Sequence, residues 1–362
     1  MRIESTPLGR TQDVRSEVSF GAMALRPGGG GVQTYAREIL KEIALQVDGT
    51  VRLSAAIQRD AVSEIPSSLS AIERPVVAGV RRAAWAMVPV AGSTLYHSLD
   101  VDLPIRQAGV TVSTFHDMSV FDVPWAFSKF RGAGERRLLS RALRKADVLI
   151  AVSDFTAERI KAFSGRAAVV TPLAPAPWAV VPTPDAVAEV RVRLNLPDRF
   201  VLQVGTIEPR KDVALVADAC SELSIPFVLA GSGSRGPSAP SSAIGLGYVA
   251  TEDLPALYSA ATVVAYASRY EGFGLPPLEA MACGGAVVAS AVGGLPDFID
   301  DAAILVKTHD KNSWVRALRS AINDPECNLA LRTAAPQVAS RLTWARTAEL
   351  TVGAYRLAGL SV

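Results

Sequence analysis

Five prolines, Pro172, Pro175, Pro177, Pro182 and Pro184, fall within thirteen residues near the middle of this 362-residue chain. Proline fixes φ and lacks an amide donor, so a run this dense can be neither a helix interior nor a central strand; it is a stiff connector. The same pattern stands on both sides of it: a short apolar run, a glycine or polar loop, then a segment with helical spacing. Strands alternating with helices imply parallel sheets covered on both faces. Two doubly wound α/β units joined at the prolines are therefore expected, and the length suits two domains of about 100–200 residues.

Before the connector, residues 18–24, 51–57, 110–115 and 148–152 read as strands. The first leads into Pro27-Gly28-Gly29-Gly30-Gly31 and then a helix over 32–43, where Val32, Tyr35, Ile39, Leu40 and Ile43 keep a helical period. Ser153 is a good N-cap for a helix after the fourth strand. Beyond the connector, residues 200–204, 226–230, 244–249, 262–266, 286–289 and 303–306 read as strands, with helical segments after Asp310.

Charge excludes some functions. With 37 basic and 35 acidic residues the net is +2, which argues against a nucleic-acid binder built on a basic surface. Residues 1–175 carry 22 basic and 17 acidic residues (+5), leaving 15 and 18 (−3) for the rest. Seven basic residues fall in 128–147, with Arg137, Arg141, Arg144 and Lys145 at helical spacing. That face reads either as an ordinary solvated helix surface or as one drawn to anionic lipid or a phosphate-bearing acceptor. The N-terminus is polar, and the apolar stretch 83–92 is too short to span a bilayer. Cys220, Cys283 and Cys327 lie far apart, which points to neither a zinc cluster nor a disulfide framework; a reducing cytosol is the expected location.

The segment 268–290, SRYEGFGLPPLEAMACGGAVVAS, is the richest in chemistry. A strand ending near Tyr266 gives a loop with Gly272 and Gly274, then a helix with Pro276 and Pro277 at its first positions and Gly284-Gly285 at its end. Loop glycines let backbone approach a ligand, and a helix start favours a phosphate. Glu279 is expected in the first turn beside that pocket, where a sugar or ribose hydroxyl is its natural partner. Glu271 is expected to face the same cavity.

Glu271 and Glu279 match the E-x7-E motif of glycosyltransferase family 4, and the run EGFGLPPLEAMACGGAVVAS resembles that family almost residue by residue. Residues 27–33, TFHDM (114–118), DVLIAVSDF (147–155) and GTIEPRK (205–211) are similar to its other segments, in order along the chain. The resemblance implies a retaining enzyme of GT-B fold: two Rossmann-like doubly wound parallel-sheet domains facing a central cleft. It divides the chain into an acceptor-side domain (1–175), a nucleotide-sugar-binding domain (176–343) and a last helix (344–362) crossing back to the first.

It also implies roles. Lys211 would neutralise the donor diphosphate and stabilise the leaving nucleotide, with Arg210 as second cation. Glu279 would hold the ribose hydroxyls and Glu271 would lie near the transferred sugar, where an ion pair with Arg269 is the plainer alternative. Gly274 and Leu275 would offer backbone N–H groups to phosphate, with Phe273 beside them. Gly30 and Gly31 would pack against the donor, Gln33 would face the acceptor, and His116 would reach the donor sugar across the cleft. Lys211, Glu271 and His116 are the expected catalytic residues. Retention is expected through same-face attack, with the leaving phosphate taking the acceptor proton.

One departure is Thr206, where many members carry an arginine after the glycine that ends the strand. Asp100-Val101-Asp102 mimics the metal-binding DxD of another glycosyltransferase fold, but it reads as surface charge, so neither metal nor cofactor is expected. The expected partners are a nucleotide-diphosphate sugar and a glycan or lipid-linked acceptor, with no nucleic acid. The wording resembles the mannosyl- and rhamnosyltransferase branch of polysaccharide synthesis, which favours GDP-mannose over UDP- and dTDP-sugars. Base contacts are expected near Ser232, Tyr248 and Val249. The expected location is cytoplasmic, with the 128–147 helix able to touch the inner face of the plasma membrane. Two other functions remain open: a non-catalytic sugar-nucleotide-binding subunit, and an NAD-dependent oxidoreductase suggested by Gly28–Gly31, although Gln58-Arg59-Asp60 fits poorly as the acidic end of a second strand.

Overall fold

The computed structural model describes residues 16–47 and 50–360; the polar N-terminal segment lies outside them. A first sheet comprises β1 (Glu17–Gly21), β2 (Arg52–Gln58), β3 (Ser70–Arg74), β4 (Leu95–Ser98), β5 (Val110–Phe115), β6 (Val148–Ala151) and β7 (Val169–Val170). A second comprises β8 (Val201–Val204), β9 (Phe227–Ala230), β10 (Ala243–Gly247), β11 (Val263–Tyr266), β12 (Val287–Ser290) and β13 (Ala303–Val306). Their orders are β3-β2-β1-β4-β5-β6-β7 and β10-β9-β8-β11-β12-β13, with every pairing parallel. The GT-B architecture of two Rossmann-like halves is present.

Both sheets reverse direction of winding beside their first strand, at β1/β4 and β8/β11. Chain that leaves two neighbouring strands in opposite directions opens a crevice at their carboxyl ends. Here the crevice after β1 holds Gly29–Gly31 and the one after β8 holds Gly205 and Thr206, and both line a single cleft.

The central strands are apolar because helices cover both faces: Val263, Val264, Ala265 and Tyr266 of β11 are all buried. The strands that the sequence did not announce are β3, β4 and β7. β3 is an exposed edge with the sequence SAIER, β4 is four residues long with buried His97 and Ser98, and β7 has two residues.

The helix Trp344–Leu357 lies along the helix Gly31–Gln46 of the first half. Trp344 Nε1 donates to Pro175 O at 2.9 Å, Thr347 Oγ1 donates to Pro172 O at 2.6 Å, and Gln46 Nε2 donates to Ala345 O at 2.7 Å. Two carbonyls of the proline connector are thereby held by the end of the chain.

The basic helix runs Lys129–Lys145 and buries Gly132, Leu139, Ala142 and Leu143. One of its expected outward cations turns inward: Arg141 donates to Leu103 O at 2.5 Å and Pro104 O at 2.6 Å. Arg137, Arg144 and Lys145 remain exposed, as does Phe130 at 94%. Asp102 is a second correction. It is buried and paired with Arg82 at 2.8 Å, so it is no surface charge; burial first, then Asp100, pushes its carboxyl up to about 6 against the pull of Arg82. Among the described residues, no helix is long and apolar enough to cross a membrane and no acidic, histidine or cysteine group clusters as a metal site.

Candidate active site

The cleft between the halves has a volume of about 460 Å³. Gly30 and Gly31 line it from the first half; Gly205, Thr206, Arg210, Lys211, Leu275 and Glu279 line it from the second. Each is placed by a strand end. β8 runs out at Gly205, whose φ of 135° needs glycine and whose missing side chain leaves room for the Lys211 ammonium, 2.7 Å from where a Cβ would stand. Pro209–Lys211 then forms one tight helical turn that brings the lysine back over the strand.

Lys211 is buried, and among the described residues its ammonium makes no hydrogen bond or ion pair. Burial holds it below the usual lysine range, against the opposing pull of Glu271. The Glu279 carboxyl likewise makes no hydrogen bond among these residues; burial pushes it up to about 8, with Lys211 working the other way. Buried charged groups are ordinarily satisfied within the protein; here a buried lysine and a half-buried carboxyl stand without such partners in one cleft.

The helix Leu275–Ala282 begins at Gly274, whose φ is 108° and whose Cβ would stand 2.3 Å from Leu295. Pro276 and Pro277 carry no N–H, so this helix start offers only the N–H groups of Gly274 and Leu275 to an anion. Glu279 is the fifth residue of the helix rather than part of its first turn, as the sequence had suggested. Across the cleft, Gly31 packs against Leu275; a Cβ there would lie 2.9 Å from its side chain.

Arg210 is less free than Lys211. Its guanidinium donates to Glu208 at 2.9 Å, Glu271 at 3.3 Å and the Tyr270 carbonyl at 3.1 Å. Burial works to lower it, yet Glu271 and Glu208 together carry it above its ordinary range. Glu271 also accepts from Ser268 Oγ at 2.7 Å. The expected alternative of a Glu271–Arg269 pair does not form, because Arg269 pairs with Asp212 at 2.7 Å.

Five expected site residues lie off the cleft lining: Gln33, His116, Glu271, Phe273 and Gly274. Gln33 is engaged within its own half. Its Oε1 accepts from Gly30 N at 3.0 Å and its Nε2 donates to Ala24 O at 3.3 Å, so both ends of the amide hold the glycine loop. Phe273 is buried and stacked on Phe298 with ring centroids 4.7 Å apart. His116 follows β5, with Nε2 2.9 Å from Leu99 O and its ring edge-on to Tyr35 at 4.8 Å. A carbonyl only accepts, so Nε2 carries a proton.

Trp178, Thr251 and Tyr258 line the cleft without having been expected there. Trp178 comes from the proline connector, and its ring plane lies within 3° of that of Tyr258 at 6.5 Å. An aromatic residue inside an otherwise structural connector was the one available signal. Ser232, Tyr248 and Val249, the expected base contacts, line the same cleft.

The family described as "Glycosyl transferases group 1" matches residues 188–338. The chain is 32% identical over 299 residues to the O-antigen chain mannosyltransferase B of Escherichia coli, covering 76% of this chain and 77% of that protein. Among solved structures it resembles the sucrose-phosphate synthase of Thermosynechococcus elongatus, with a TM-score of 0.75, 20% identity, and coverage of 95% of this chain and 99% of that one. It also resembles Anabaena HepE, solved with UDP and glucose, with a TM-score of 0.69, 17% identity, and coverage of 96% and 100%. The two structural likenesses are likenesses of fold.

Proposed function

The chain belongs to the group 1 glycosyl transferases, the GT-B enzymes of glycosyltransferase family 4, and we propose that it moves a hexose, with mannose from GDP-mannose as the chosen donor, onto a glycan or lipid-linked acceptor in polysaccharide synthesis. The observation that carries this reading is the pairing of the unpartnered Lys211 ammonium with the unpartnered Glu279 carboxyl in one cleft beside a helix start. The cation and the N–H groups suit a diphosphate, and the recessed carboxyl suits ribose hydroxyls. The choice of mannose rests on the Escherichia coli mannosyltransferase relative.

Transfer proceeds with retention by same-face attack, the leaving phosphate taking the acceptor proton. A Glu271 carboxylate already engaged by Arg210 and Ser268 is a poor nucleophile, which supports this over a covalent intermediate. His116 would meet a donor-sugar hydroxyl through its second ring nitrogen, Nε2 being held by Leu99 O. Lys211, Arg210 and the helix start supply the charge that a metal ion would otherwise supply, and no cofactor takes part. The exposed Phe130, Arg137, Arg144 and Lys145 support contact with an anionic membrane at the cytoplasmic face.

Thermal shift with GDP, UDP, dTDP and ADP, followed by hydrolysis of the matching sugar nucleotides, tests the donor. Stabilisation by GDP and turnover of GDP-mannose are expected; stabilisation by UDP or dTDP alone would replace the donor assignment, and no shift with any nucleotide would end the transferase reading.

A further inference from the structure

The loop that carries Glu271 is held by the opposite half of the molecule. Gly272 O accepts from Ser153 Oγ at 2.6 Å and from Thr156 Oγ1 at 3.4 Å. One residue before Glu271, the Tyr270 hydroxyl accepts from Met118 N at 3.1 Å. The Tyr270 ring meets Phe155 edge-on at 5.5 Å, and its hydroxyl interacts with Asp122, which Arg159 holds through two bonds of 3.0 and 2.6 Å. Tyr270, Ser153, Thr156 and Met118 are all buried. The side chain of Tyr270 thus belongs to one half by sequence and to the other by packing.

The fit leaves no slack. A Cβ on Gly272 would lie 1.8 Å from His116 O, so the backbones on which Glu271 and His116 stand are in direct contact. Gly294 completes the joint, since a Cβ there would meet the Ser153 side chain at 2.7 Å. His116 comes from the first sheet and Glu271 from the second, and a separation of a few ångströms between the halves would break every one of these contacts.

We infer that Tyr270 and Ser153 are positioning residues, which hold Glu271 in register with His116 across the joint between the two halves. The inference rests on the transferase reading above. Neither residue lines the cleft that holds Lys211 and Glu279. Their loss should therefore spare nucleotide binding, which the second half supplies, while misplacing the groups that act on the sugar. Catalysis responds to misplacements of about 1 Å by factors near a hundred.

The test is Tyr270→Phe, which keeps the ring and removes the hydroxyl, beside Ser153→Ala, which removes the donor from the other side. Dissociation constants for GDP and the other nucleoside diphosphates are measured with kcat and KM for the sugar nucleotide. Expected is a fall in kcat of about 10- to 100-fold in each variant, with nucleotide affinity and donor KM within about twofold of wild type. A Tyr270→Phe enzyme with wild-type kcat overturns the inference and leaves the transferase reading standing. So does nucleotide affinity that falls in step with kcat in both variants, since that is general loss of structure. A wild-type chain that binds no nucleoside diphosphate overturns both.

Discussion

Replacing Glu279 with glutamine should stabilise the empty protein, and do so increasingly as the pH rises from 5 to 8. Burial pushes this carboxyl from 4.5 to about 8. A group whose folded value is raised favours folding while it is protonated in both states. That contribution is intact below the unfolded value and is lost as pH climbs through the folded one. Ionising Glu279 in the folded chain thus costs up to about 5 kcal/mol more than in the unfolded chain. Water in the open cleft reduces this, and about 2 kcal/mol is the expected gain from Glu279→Gln near pH 8. For units of this size that is roughly 4–8 °C in melting temperature. Calorimetry of both proteins without ligand, between pH 5 and 8, reads the difference directly. The gap should open steadily across it. A gap of constant size, or a variant less stable than wild type at pH 8, would refute the assignment of Glu279 as an unpaired, half-buried carboxyl. The same variant should bind the nucleotide more weakly, having exchanged the ribose acceptor for an amide.

Lys211→Ala should lower kcat by a factor of about 100 or more and weaken nucleoside diphosphate binding, because Arg210 is already shared between Glu208 and Glu271; steady-state kinetics and calorimetric titration check both. Turnover should persist in excess EDTA, with no gain on adding magnesium or manganese; activity lost to the chelator and restored by either ion would show that a metal carries the leaving-group charge. Gly272→Ala should cost about 1–3 kcal/mol and most of the activity, since its methyl group would lie against His116 O; urea unfolding and turnover of the same preparation measure the two effects.

The sequence announced the second half better than the first. Strands such as β11 and β12 are short runs buried on both faces, and a loop containing glycine follows each. β3 and β4 lack that signature for opposite reasons: β3 is an exposed edge that tolerates charge, while β4 buries the polar side chains of His97 and Ser98. His97 bonds Tyr355 at 2.6 Å and Thr114 at 2.8 Å, and the first of these partners lies 258 positions away. No local period encodes such a pair. The cleft residues Lys211 and Glu279 were legible because each stands in a dense local motif. Trp178 was not, because its place in the cleft depends on how the connector folds back.

The environment of the two cations also bears on the missing arginine at Thr206. Arg210 and Lys211 are adjacent, yet their surroundings divide them. Arg210 faces two carboxylates and a carbonyl, so its charge is largely answered within the protein and its guanidinium fixes Glu271. Lys211 has no such partner, which is why it is the cation proposed to meet a diphosphate. On the proposed reading an arginine at Thr206 would share that load, and its absence puts more of it on Lys211 and on the helix start at Leu275. Protonation of Glu279 near neutral pH then has a consequence beyond stability: it removes a negative charge from the cleft that Lys211 also lines. A cleft with one unshared lysine can take an anion more readily when its nearest unpaired carboxyl is neutral.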